Sequence, residues 1–141
     1  MIQFIVFLHV LGAIGTGFYL LLPFLFLRLG ALSSSAQDGL VSGLFTANRI
    51  GQYLLVVQFL TGGYLISQGE YSVAWMVVVI VLFVGAAALA GIMSKPMKAL
   101  MANAKAGKAS AAEAAKIKNF SFIIAILLVV IIVLMNYPAI I

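Results

Sequence analysis

The sequence predicts an all-α integral membrane protein whose four transmembrane helices form an up-down bundle. Of its 141 residues, 65% are hydrophobic and 8% are charged, whereas soluble domains average about 25% charged residues. The apolar residues fall into four long segments, each near the ~20 residues that a helix needs to cross a bilayer. The charged residues lie mostly between those segments. Together these observations indicate that a bilayer, rather than water, solvates most of the chain.

The four predicted transmembrane helices cover about residues 2–27, 50–66, 73–93 and 120–137. The first segment has neither a basic leader nor a small-residue cleavage site before a polar stretch, so it is predicted to be a retained helix and not a signal peptide. Together the segments form one membrane domain over residues 1–141.

Basic residues give the predicted orientation. The net charge is +5, and six lysines less one glutamate place +5 in a basic loop over residues 94–118. The positive-inside rule puts this loop and residues 28–49 in the cytoplasm, with both termini extracytoplasmic, as in the inner (plasma) membrane of a bacterium. No aromatic residues alternate with the lysines for base stacking, so the charge indicates a lipid bilayer and not a nucleic acid as partner.

Capping patterns predict ordered structure on the cytoplasmic side. Residues 35–38 and 110–113 have the spacing of a capping box, so the second and fourth helices are expected to begin in the cytoplasm. Between the third and fourth helices, Pro96 is expected in the first turn of a further helix and Gly107 at a break.

Residues expected at the membrane interfaces follow from the same topology. Arg28, Arg49, Lys95 and Lys98 flank the cytoplasmic ends of the helices, where their side chains are expected to contact lipid headgroups by snorkelling. An aromatic belt is expected at the outer ends from Tyr64, Tyr71, Trp75 and Tyr137.

Few polar residues lie within the predicted spans. No Asp or Glu lies near the membrane centre, which disfavours a proton-coupled exporter that needs a buried carboxylate. Gln58 lies in the middle of the second span and is expected to donate an interhelical hydrogen bond. Because no polar path crosses the membrane, a small transporter or channel is the least favoured class.

His9, the only histidine in the chain, is the strongest candidate functional residue. A helical wheel places small residues on its face over the next two turns: Gly12, Ala13 and Thr16. An imidazole nitrogen can bind haem iron, and Gly12 and Ala13 would let a porphyrin lie against the helix backbone. The alternatives are a neutral imidazole hydrogen-bonded to a neighbouring helix and a proton-handling histidine.

One histidine per chain leaves the second axial position of a haem open. Met76 and Met135 are expected at a depth similar to that of His9, so either could complete a His/Met pair. Alternatively, His9 residues of two chains could bind one haem across a twofold axis, or the iron could stay five-coordinate.

Several short segments resemble a known group of small bacterial membrane proteins. The opening QFIVFLHVLGAIGTGFYLL resembles the first helix of the copper-resistance-protein-D-like proteins, the haem-binding membrane protoporphyrinogen oxidase and related four-helix families of unknown function. The segments QFLTGGYLI, AWMVVVIVLF and KPMKAL look most like one of those unknown-function families. The resemblance implies a four-helix bundle and haem b at His9.

The resemblance does not extend to catalysis. The protoporphyrinogen oxidase has a functional lysine shortly after a tryptophan of its third helix, whereas Trp75 is followed only by apolar residues through Ile80. Copper transport is also disfavoured, because the sequence has no paired ligand motif. No catalytic residue is predicted, and the chain is expected not to be an enzyme of that type.

The predicted function is therefore a b-type haem-binding membrane protein, in electron transfer or in haem or redox sensing. It is expected to act as a homodimer or beside a larger membrane redox complex. The alternative is a non-enzymatic accessory or assembly subunit whose Gly and Ala faces pack against partner helices.

Overall fold

The computed structural model describes residues 1–108 and 111–141, and every regular element in those residues is helical. The α-helices in chain order are α1 (Ile2–Thr16), α2 (Leu22–Leu27), α3 (Ser34–Ser67), α4 (Val73–Ile92), α5 (Ser94–Lys105) and α6 (Ala111–Asn136). Short 3-10 turns occupy Gly17–Leu20, Leu29–Ala31 and Pro138–Ile140.

Four helical stretches are long and apolar enough to cross a membrane: Ile2–Leu27, Ser34–Ser67, Val73–Lys105 and Ala111–Asn136. This confirms the predicted all-α class and the number of candidate spans. It also supports a multi-pass membrane protein.

The first span is interrupted near its middle. Pro23 lies in the first turn of α2, where its missing N–H costs no helical hydrogen bond. The same ring cannot continue the preceding helix, so α1 ends at Thr16 and a 3-10 turn over Gly17–Leu20 joins the two pieces. The span predicted as one helix is therefore two helices in series.

The bundle has two distinct ends. The N-terminus, the C-terminus and the turn after α3 share one end, which we call the terminal end; there the Ser72 hydroxyl donates to the Ile141 carbonyl at 3.1 Å. The opposite end, where α3, α5 and α6 begin, carries most of the lysines and is called the basic end. With 34 residues, α3 is about 51 Å long, so it extends well beyond a ~30 Å hydrocarbon layer.

Much of the predicted basic loop over residues 94–118 is helical. α5 and the first turns of α6 lie within it, and the expected further helix with Pro96 in its first turn is confirmed. Gly107 has φ = +70°, a backbone conformation that favours glycine, and it ends this helical segment as predicted.

The N-terminus of α3 begins earlier than its capping pattern predicts. Ser33, not Ser35, is the N-cap, and its hydroxyl accepts from the backbone N–H of Ala36. The second and fourth helices do begin ahead of their apolar segments, as expected. The capping box expected over residues 110–113 begins at Ser110, which lies outside the described residues.

The main core lies in the basic half of the bundle. α1 packs chiefly against α3 and α4 packs against α6, while Gly17–Leu20, α2 and α5 all pack against α6. α5 also packs closely against α3. The largest fully buried apolar side chains are Tyr19, Leu22, Met93, Met97, Leu100, Ile117 and Ile124, together with Trp75.

Trp75 belongs to a smaller cluster at the terminal end, with Val79 and Leu134. Its side chain is 2% exposed, and its indole Nε1 donates to the Leu134 carbonyl at 2.8 Å. Tyr71 stacks on it with ring centroids 4.4 Å apart. Trp75 thus lies at the end of the bundle where the aromatic belt is expected, but its N–H is satisfied by α6 and not at the interface.

Candidate cofactor site at the α1–α3 interface

His9 is held at the α1–α3 interface by a hydrogen bond. Its Nδ1 lies 2.8 Å from the hydroxyl oxygen of Thr61 on α3. The ring also lies close to the backbone at Gly62, where an added Cβ would be 3.2 Å from His9 Cε1. Thr61 and Gly62 thus determine where the imidazole lies, one by a hydrogen bond and the other by leaving space.

The hydrogen bonds of the Thr61 hydroxyl indicate which tautomer His9 adopts. Thr61 Oγ1 lies 2.7 Å from the Val57 carbonyl oxygen, which can only accept, so the hydroxyl proton points there. The hydroxyl must then accept from His9, which means that Nδ1 carries the imidazole proton. Nε2 is left as the nitrogen with a free lone pair, the arrangement that metal-binding histidines usually have.

His9 Nε2 is the unused atom of this site. Within the described residues it has no hydrogen-bond partner. If Nε2 were buried, it would be a buried polar atom without a partner, but the one such side-chain atom in those residues is Gln58 Oε1. His9 Nε2 is therefore not buried by the protein. His9 lies about 10 Å along the helix from Ile2, inside an apolar span. A bare lone pair in hydrocarbon is unfavourable, so this position fits a ligand or a partner group.

Gly12 is covered by α3 instead of being bare. A Cβ added at Gly12 would lie 2.5 Å from Gln58 Oε1, and one added at Gly15 would lie 2.5 Å from Leu54 Cδ1. The two glycines therefore serve close helix packing. A porphyrin resting on Gly12 would require the Gln58 side chain to move.

Gln58 does not make the interhelical hydrogen bond that its position predicts. Its Oε1 is buried against Gly12 and has no partner in the described part of the chain. Buried polar atoms normally have a partner, and each exception calls for an explanation. Gln58 Oε1 and His9 Nε2 are therefore two unused acceptors at one helix interface.

The other residues of the predicted His9 face lie on different sides of α1, one buried and one exposed. Thr16 is buried, and its hydroxyl donates to the Ala13 carbonyl at 3.1 Å. Ala13 itself is exposed. Met76 packs in the terminal-end cluster around Trp75, and Met135 is 40% exposed on α6. Both methionines lie outside the α1–α3 pair, so a second axial ligand from either stays a prediction.

A second polar cluster, which we call the closed cluster, joins the first span to the rest of the bundle near the basic end. Tyr19 donates to Asn48 Oδ1 at 2.7 Å, and Asn48 Nδ2 donates to the Ala90 carbonyl at 3.0 Å. Gln52 Nε2 reaches the same carbonyl at 3.3 Å and Ser94 Oγ at 3.2 Å. Within the described residues, no buried side-chain polar atom of this cluster lacks a hydrogen-bond partner, so the cluster needs no ligand to complete it.

The predicted interface cations are all exposed: Arg28, Arg49, Lys95 and Lys98. Lys98 Nζ lies 5.7 Å from the centroid of the Phe45 ring, close enough for a cation–π contact. Their contact with lipid headgroups stays a prediction.

Thr61 and Gly62 are the site residues that the sequence analysis did not identify. Their only signal was the segment QFLTGGYLI, in which Gly62 and Gly63 follow Thr61. Within the described residues, no group of three or more His, Cys, Asp or Glu side chains could hold a metal ion. A haem differs from a bare ion because its porphyrin supplies four nitrogen ligands and the protein supplies only axial ones.

Searches with this chain against protein-family models, curated proteins and solved structures found no match. The resemblance of its first helix to the copper-resistance-protein-D-like group thus rests on the quoted residues alone and stays a prediction.

Proposed function

We propose that this protein is an integral membrane b-type haem-binding protein, with His9 Nε2 as an axial ligand to the iron, and that it acts in electron transfer or in haem or redox sensing. The observation that supports the proposal is the orientation of His9. Its Nδ1 proton is used by Thr61, and its Nε2 lone pair is left open inside an apolar span.

The residues around His9 have distinct roles in this proposal. Thr61 fixes the tautomer and the ring orientation, and Gly62 lets the ring approach α3 closely. The open side of the expected face is that of Ala13, because Gln58 already covers Gly12. When bound, haem supplies one-electron chemistry at its iron, and the protein tunes it through the axial ligand and its hydrogen bond.

The proposal also includes a topology. The lysine-rich basic end faces the cytoplasm of a bacterial cell and the terminal end lies outside the plasma membrane, as the positive-inside rule predicts. His9 then lies in the outer half of the bilayer. A homodimer in which two His9 residues share one haem, or a complex with a larger redox protein, would supply the second axial ligand.

The visible absorption spectrum of the purified protein tests the proposal. After expression with ample haem, we expect a Soret band and a red-shifted, sharpened α band on reduction, and we expect both to be lost in His9→Ala. The matched control is Gly17→Ala, because an added Cβ there meets nothing within 4 Å. A colourless wild-type protein, or a His9→Ala protein with an unchanged band, would refute it.

The second candidate function is the accessory or assembly subunit. The open His9 Nε2 favours it, because a donor on a helix of another protein could satisfy that nitrogen in place of a haem iron. This hypothesis predicts a colourless protein that co-purifies with one membrane partner, and it predicts that His9→Ala weakens the association.

A further inference from the structure

We propose that a groove between α2 and α6 binds an anionic phospholipid, with Lys118 contacting the lipid phosphate. The groove has a volume of about 200 Å³ and is lined by Phe26, Leu27, Ala111, Ala114, Ala115 and Lys118. It lies away from His9, so the inference is independent of the haem proposal.

The sequence of α6 creates one wall of this groove. Ala111, Ala114, Ala115 and Lys118 follow the i, i+3, i+4, i+7 spacing of a single helix face. The small side chains of the three alanines on that face leave a depression next to α2. Lys118 lies at the end of the depression that is nearer the membrane centre. On α2, Phe26 is 4% exposed and forms the floor, whereas Leu27 is 53% exposed and forms the rim.

The groove lies at the level of the lipid headgroups. About 20 residues of a helix cross the hydrocarbon layer. When one edge of the layer is placed at Asn136, at the terminal end of α6, the other edge lies at about Ile117. The Lys118 stem therefore borders the hydrocarbon, and its ammonium group reaches the headgroup layer. The alanine wall continues from there away from the membrane centre.

The charge around the groove selects an anionic ligand. Lys118 lines it, and Arg28 directly follows the rim residue Leu27. Glu113 is the one acidic residue in this part of α6, so the local charge is positive. A phospholipid places its phosphate and headgroup at this depth, which complement the lysine and the alanine groove, while its acyl chains extend past Lys118 toward the hydrocarbon.

Native mass spectrometry of the full chain, released from detergent micelles that contain equal amounts of phosphatidylglycerol and phosphatidylcholine with the same acyl chains, tests this inference. We expect the wild type to retain phosphatidylglycerol in preference. Lys118→Gln should lower that retention about fivefold, which corresponds to ~1 kcal/mol for one charge near the surface. Ala115→Leu, which fills the groove from an exposed position, should lower the retention of phosphatidylglycerol as well.

Lys116→Gln is the matched control. It removes the same charge from the same helix, but Lys116 is exposed and does not line the groove. Retention close to that of the wild type supports the groove. Equal losses in Lys116→Gln and Lys118→Gln would show a diffuse charge effect, and equal retention of both lipids by the wild type would show no selection; either result overturns the inference. If Ala115→Leu fails to fold, the two lysine variants decide.

Discussion

Two polar clusters connect the first span to α3, and they differ in whether every buried side-chain polar atom in the described residues has a hydrogen-bond partner. In the closed cluster, Tyr19, Asn48, Gln52 and Ser94 pair with one another and with the Ala90 carbonyl. About three helical turns away, the His9 cluster of His9, Gly12, Gln58 and Thr61 leaves two acceptor atoms without a partner among residues 1–108 and 111–141.

This difference separates a structural role from a binding role. Inside a membrane, water cannot satisfy a polar group, so a complete network stabilises the bundle while an incomplete one needs a further partner. Both clusters have hydroxyl and amide side chains on the first span or α3, and the closed cluster also extends to the junction of α4 and α5. The hydrogen bonds of the folded bundle, and not the residue types, distinguish them.

The largest effect is expected from Thr61→Val in the His9 cluster. The variant keeps the shape of the side chain but removes the oxygen that accepts from His9 Nδ1. Loss of such an orienting partner typically costs 10–100-fold in affinity for a metal centre. We therefore expect haem titration, followed at the Soret band, to give a dissociation constant raised by about that factor. Thr61→Ser should restore it, and a Thr61→Val protein that binds haem like the wild type would contradict the role of Thr61.

Asn48→Leu should destabilise the closed cluster most. It removes the acceptor of the Tyr19 hydroxyl and a donor to the Ala90 carbonyl at a fully buried position. We expect a loss of about 1–3 kcal/mol in the free energy of unfolding. Thermal unfolding in detergent, followed by helical circular dichroism, would show it as a lower midpoint. An unchanged midpoint would mean that the network does not stabilise the bundle.

Two glycine substitutions compare the rigidity of the clusters. Gly51→Ala would place a Cβ 2.6 Å from the Tyr19 hydroxyl and 2.8 Å from Phe18 Cε1, and Tyr19 is held by Asn48. Overpacking at such a site costs about 1–3 kcal/mol. Gly12→Ala meets only the Gln58 side chain, whose amide oxygen has no hydrogen-bond partner within the described residues, so its cost should be smaller. Equal midpoint shifts in the two variants would contradict the contrast, and Gly17→Ala is the control.

The smallest effect is expected from Gln58→Leu. Removing an unpartnered buried amide should leave the unfolding midpoint unchanged or raise it by the equivalent of up to about 1 kcal/mol. The same thermal unfolding measurement checks this. A clear loss of stability would show that Gln58 Oε1 has a partner within the protein, and the His9 cluster would then be less open than proposed.

The sequence predicted the four candidate spans, and it placed His9, Gly12 and Thr16 on one side of α1, because both depend on local patterns, although Ala13 of the same predicted face is exposed. Apolar length identifies a span, and the 3.6-residue period places His9, Gly12 and Thr16 on one side. The partner of that face was not predictable, because α3 is apolar around most of its membrane segment and does not mark which side meets α1. Thr61 and Gly62 therefore became site residues only through the helix pairing.

The closed cluster and Trp75 show the same limit. Asn48 and Gln52 are four residues apart and so share a helix face, but their common acceptor is the Ala90 carbonyl at the junction of α4 and α5. The amino-acid types do not show which backbone carbonyl at a helix junction is available to accept a hydrogen bond. Trp75 lies near the end of its span, where residues that anchor a helix at the membrane interface are common. The Leu134 carbonyl that accepts from its indole N–H comes from α6, and the packing of α6 is not evident from the sequence.

Haem titration of the purified apoprotein, wild type against His9→Ala, tests the central claim most directly. If His9 Nε2 is the open ligand position, the wild type should saturate at one haem per chain, or at one haem per two chains for a shared site, with a Soret band typical of histidine-ligated iron. His9→Ala should show only the spectrum of free haem in detergent. Equal titration curves for the two proteins, or no saturable change in the wild type, would contradict the proposal that this cluster binds haem.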